Sequence, residues 1–85
     1  MKHFAYFYFM MDQPEKADLV VPEHIEYWNM LELEDYLGGP FQDRTGGLIS
    51  FSVKDQESAE AIVENAPFVR EGLLERYWLK IWLTE

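Results

Sequence analysis

Residues 2–11 alternate without producing a polar face. Phe4, Tyr6, Tyr8 and Met10 take one parity, and Ala5, Phe7 and Phe9 the other. Aromatic residues favour extended backbone, so residues 2–11 are predicted to form a strand. A strand apolar on both sides has to be covered on both sides. Residues 12–21 turn polar and then apolar around Pro14 and read as a loop. Pro22 suits the first turn of a helix, where its missing N–H is not needed, and a helix is predicted over residues 22–37. His24, Tyr27, Trp28 and Leu31 recur at i, i+3, i+4 and i+7 and share one face. Met30, Leu33 and Leu37 widen it, while Glu32, Glu34 and Asp35 read as a solvated acidic face.

The stretch Tyr-Leu-Gly-Gly-Pro-Phe-Gln-Asp-Arg-Thr-Gly-Gly, residues 36–47, has to stop that helix and turn the chain. Glycine pairs and a fixed proline φ are poor helix material. Residues 47–53 then read as a strand with Ile49, Phe51 and Val53 on one side and Leu48, Ser50 and Ser52 on the other. Asp55 can cap a second helix. Its apolar stripe is Ala59, Ile62, Val63 and Ala66, and Pro67 ends it. Residues 68–73 read as a turn or one helical turn closed by Gly72. Residues 75–83 read as a last strand, with Tyr77, Leu79, Ile81 and Leu83 facing one way. Trp78 and Trp82 face the other, with Arg76 and Lys80 between them.

With an irregular second strand at residues 39–43, the order is β-α-β-β-α-β. That predicts an α+β fold, a ferredoxin-like βαββαβ sandwich in a single domain spanning residues 1–85. Two helices cover only one face of its sheet. The other face would expose aromatic residues of the first strand together with Trp78 and Trp82, which marks an interface. A homodimer packed through the sheet faces, a dimeric α+β barrel, would hide them.

Charge and composition narrow the partners. The 85 residues include sixteen acidic and seven basic side chains, a formal net charge of −9. Nucleic acids are held by Lys and Arg, so they are not expected partners, and anionic membrane surfaces are disfavoured likewise. No apolar run approaches the roughly 20 residues of a membrane span, and the N-terminus does not read as a signal peptide. The expectation is a soluble, cytoplasmic protein. Cysteine is absent, so disulfides and thiol chemistry are excluded. The two histidines, His3 and His24, lie on different elements without metal-ligand spacing, and no metal is expected.

His24 is the main candidate for chemistry. At the third position of a helix starting at Pro22, it would feel the positive field of the helix N-terminus, which favours a neutral imidazole. Its competing reading is a buried histidine satisfied by structure alone. Asp43 is placed to orient His24 as a carboxylate does in an acid–base dyad, or to bond its own turn. Arg44 is a candidate anchor for an anionic group or a neighbour neutralising Asp43. Tyr6 or Tyr8, Trp28, Phe41 and Phe68 would supply apolar walls for a small-molecule ligand, or simply core packing.

Several of these positions carry a resemblance. Gly39-Pro40-Phe41, Asp43 and Gly46-Gly47 leading into a strand, His24 two residues after Pro22, and Pro67-Phe68-Val69 with Gly72-Leu73 together resemble the YciI-related (YCII) family. The resemblance implies a dimeric α+β barrel. It also implies cofactor-free acid–base chemistry of isomerase or dehydrochlorinase type on a small cyclic or aromatic acid. His24 would then be the general base or acid, and Asp43 its partner. The acidic residue that the family usually places before Pro-Phe is Ala66 in this chain. The alternative is a non-catalytic dimeric module that binds a ligand or serves as an accessory domain.

Overall fold

The computed structural model describes residues 1–85. The chain forms β1 (Lys2–Met10), α1 (Pro14–Met30), β2 (Glu34–Pro40), β3 (Gly46–Val53), α2 (Gln56–Glu64), α3 (Pro67–Arg70) and β4 (Leu74–Ile81). The strands form one sheet in the order β2-β3-β1-β4. All three pairings are antiparallel. This is the ferredoxin-like βαββαβ arrangement, with the helices on one face.

The doubly apolar β1 takes a central position, as its pattern requires. Phe4 lies opposite Phe51 and Ile81, Tyr6 opposite Ile49 and Leu79, and Tyr8 opposite Gly47 and Tyr77. Residues directly opposite one another share a face. This face meets the helices, and Phe4, Tyr6, Tyr8, Ile49 and Phe51 are buried there with Trp28, Val63, Phe68 and Leu73. On the other face Phe7 lies between Leu48 and Trp78. Nothing in the chain covers that face: Trp78 and Trp82 are each 45% exposed.

Two predicted elements are displaced. The helix expected over residues 22–37 runs Pro14–Met30, with Pro14 in its first turn and Pro22 inside it. The stretch expected as a loop, 12–21, is therefore largely helical. An interior proline normally costs a helix its bond to the i−4 carbonyl, here that of Asp18. Burial outweighs that loss: Val20 and Trp28 are both buried from this helix. The helix ends at Leu31, and Glu32 then takes a positive φ of 48°. Consequently the second strand comes earlier than expected, at Glu34–Pro40 rather than at residues 39–43. Its pairing with β3 shifts register between Glu34 and Leu37, where Asp35 adopts a φ of 54°. Ser52 Oγ donates to Asp35 Oδ2 (2.8 Å) and so ties that irregular residue to β3.

The second half follows expectation closely. Asp55 caps α2, its Oδ1 accepting from Ser58 N–H at 2.8 Å. Pro67 opens the short α3, and Gly72 closes it with a φ of 66° that a side chain would resist. Within the helical layer α1 leans chiefly on α3, while Trp28 reaches the sheet and stacks on Tyr6. Elsewhere α1 stands off the strands and leaves a cleft beneath it.

Candidate active site

The cleft has a volume of about 840 Å³ and lies between α1, β1 and the two glycine-bearing segments around Gly39 and Gly46. Its aromatic walls are Tyr8, Trp28, Tyr36 and Phe68, and His24 sits among them. The helical repeat explains the grouping. Ala17, Val21, His24 and Trp28 fall on one stripe of α1, and all four line the cleft. The volume and the mainly apolar walls with a few polar groups are those of a small-molecule site.

The imidazole of His24 is held by rings. It stacks on Phe68 with centroids 4.1 Å apart and planes 9° from parallel, and Tyr8 meets it edge-on at 5.8 Å. Its Nδ1 is enclosed without a hydrogen-bond partner. That leaves Nε2 as the nitrogen free to serve the cleft. Burial pushes the pKa of His24 down from 6.5 to about 4. The helix-terminus argument therefore does not apply, because Pro14 rather than Pro22 starts the helix and His24 lies in its second half. Neutrality follows from desolvation instead.

The phenols stay protonated. Burial pushes Tyr8 up to about 12 and raises Tyr36 as well. At neutral pH they are hydrogen-bond donors to a ligand rather than bases. Trp28 is buried to 1% exposure, and its Nε1–H has no acceptor.

The remaining predicted site residues are spread over the molecule. Arg44 lines the cleft, from a turn where its φ is 63°. Asp43 does not line it. Its Oδ1 accepts from Thr45 N–H (3.1 Å) and Thr45 Oγ1–H (2.7 Å), and these bonds hold its carboxyl below the usual range. Tyr6 lies in the core beside Trp28, away from the cleft lining. Phe41 packs against Phe9, a residue of the uncovered sheet face. The structure adds residues the sequence did not single out, among them Tyr36, Asp12, Asp18 and Glu75. Tyr36 was obscured by a first helix placed too far along the chain. Asp18 was obscured by the loop assigned to 12–21, although the stripe Ala17, Val21, His24, Trp28 runs straight through Pro22.

The depressed His24 pKa has a stability consequence with a definite sign. The unfolded chain takes up a proton near 6.5 and the folded chain near 4. The contribution of neutral His24 is present above pH 6.5 and is lost as the pH falls from there through 4. With solvent reaching one side of the ring, the loss is on the order of 2 kcal/mol. Urea unfolding at pH 7 and pH 4 should show it in the wild type, and His24→Gln should remove that share of the pH dependence.

Comparison with known proteins agrees with this architecture. No curated protein matches the chain in sequence. Among solved structures, the chain is similar to 5-chloro-2-hydroxyhydroquinone dehydrochlorinase (TftG) from Burkholderia phenoliruptrix AC1100, determined in complex with 2,5-dihydroxybenzoquinone. The TM-score is 0.84 at 19% identity, over 98% of this chain and 95% of that chain. At that identity the similarity establishes the fold, that of the dimeric α+β barrels. The family model for the YCII-related domain matches residues 1–83, and the chain belongs to that family.

Proposed function

We propose that the cleft is a small-molecule active site in which His24 exchanges a proton with a small planar ring compound, without a cofactor. One observation carries this reading: a neutral imidazole, stacked on Phe68, sits in an aromatic-walled cleft of about 840 Å³. A neutral imidazole accepts a proton at pH 7, and Tyr8 or Tyr36 can donate a hydrogen bond to the charge that develops on the ring. Asp43 acts through the turn. By tying Thr45 it fixes the corner that carries Arg44 into the cleft wall. The similar structure is that of a dehydrochlorinase holding a dihydroxybenzoquinone, and a ring of that size fits a cleft of this volume.

A second reading, a ligand-binding module without catalysis, is favoured by the surroundings of His24. Its Nδ1 has no partner, so no carboxylate orients it, and the position before Pro67 is Ala66. The two readings separate in one experiment. Proton NMR in D2O, with a panel of small cyclic ketones and phenols, follows exchange of carbon-bound hydrogen. Catalysed exchange that falls about a hundredfold or more in His24→Gln supports the enzyme. Ligand-induced shifts at His24 without exchange support the module.

The assembly belongs to the same proposal. Two chains would pair through the uncovered sheet face, burying Phe7, Leu48, Trp78 and Trp82. Sedimentation equilibrium at micromolar concentration is expected to give twice the chain mass of 10.1 kDa. Trp78→Glu should weaken the dimer by about 3 kcal/mol by burying an unpaired carboxylate. A well-folded wild-type monomer would defeat the assembly.

A further inference from the structure

The cleft is aromatic inside and mostly acidic at its mouth. Three carboxylates line it, Asp12, Asp18 and Glu75, against one guanidinium, Arg44. All four residues are exposed, so they form a rim rather than a floor. Glu75 is paired with Arg76 at 3.2 Å, whereas Asp12, Asp18 and Arg44 enter no ion pair. Rim and chain carry the same sign, since the formal charge is −9. A low-dielectric cleft edged by one sign of charge concentrates ions of the other sign and repels its own. Behind the rim the wall is aromatic, with Tyr36 the most open of its rings at 38% exposure.

We infer that this cleft selects small ring compounds without negative charge, ring amines foremost, and discriminates against acids. The inference rests on the cleft being the working site, and it departs from the aromatic acid that the sequence resemblance implies. Arg44 is the single group that argues for an acid. Two unpaired carboxylates on the same rim oppose it.

Three one-ring probes of equal size test this. Benzylamine is a cation at pH 7, benzyl alcohol is neutral, and benzoate is an anion. Each is titrated into the isotopically labelled wild-type protein at low salt, with the His24 ring signals as the readout. Benzylamine is expected to bind about fivefold tighter than benzyl alcohol, with benzoate the weakest. The order should flatten at about 0.5 M salt and in the double variant Asp12→Asn with Asp18→Asn. Benzoate binding tightest, and losing its advantage in Arg44→Gln, would overturn the inference while leaving the cleft as the site. Equal binding of all three would overturn it as well. Failure of all three to move the His24 signals would overturn the inference together with the functional reading beneath it.

Discussion

Gly46→Ala is expected to destabilise the fold by about 3 kcal/mol or more, the largest loss from any single added methyl. Gly46 is buried opposite Phe9 where β3 begins. A Cβ there would overlap the main-chain carbonyl oxygen of Tyr8 and press on Phe9 Cα at 3.0 Å. A flexible side chain could swing aside, but the backbone of a central strand cannot do so without breaking its ladder. The same corner holds the turn together, since Gly46 O accepts from Phe41 N–H and Thr45 O accepts from Met10 N–H, both at 2.8 Å. Chemical denaturation should show a much lower midpoint, or no cooperative transition. A variant of wild-type stability would mean that β1 and β3 do not approach as closely as described.

Trp28→Ala is expected to cost about 3–5 kcal/mol, the usual range for emptying a buried large aromatic site. Trp28 ties α1 to the sheet. Its ring stacks on Tyr6 at 5.8 Å, packs against Phe51 at 5.8 Å and lies over Tyr36 at 6.5 Å. Removing it takes away the most deeply buried side chain that a proline-interrupted helix lays against the strands, and it opens the cleft floor. Both a lower melting temperature and faster amide exchange along Pro14–Met30 are expected. Trp28→Phe should recover most of the stability, which separates loss of packing from loss of the indole N–H. If Trp28→Ala unfolds at the wild-type midpoint, α1 is held by something other than this ring.

The sheet was legible because its strands obey a simple period. β1 is apolar on both parities and became a central strand, and Ile49 and Phe51 of β3 turned to the core as their alternation predicts. Asp55 and Gly72 announced a helix start and a helix stop that do form. The first helix was placed wrongly because two prolines compete for one role. Pro14 and Pro22 both suit a first turn, and local rules favour the later one, which sits before the strongest apolar stripe. Tertiary burial of Val20 and Trp28 decides for the earlier. That error hid β2, where Asp35, like Glu32 in the link just before the strand, takes a positive φ that no glycine advertises. Of the cleft lining, His24 and Trp28 were legible from their helical spacing and Phe68 from the Pro67-Phe68-Val69 segment. Asp43 was not, because a turn aspartate has the same sequence whether it serves a distant imidazole or the next threonine.

The central claim is that His24 presents a nitrogen to a ring-binding cleft. The most direct measurement is a crystal structure of the protein soaked with small cyclic hydroxyl and amine compounds. The account predicts a ring bound among Tyr8, Trp28, Tyr36 and Phe68, with a polar atom about 2.6–3.2 Å from His24 Nε2. A cleft filled by side chains, with His24 enclosed on every side and both of its nitrogens satisfied by protein atoms, would contradict it.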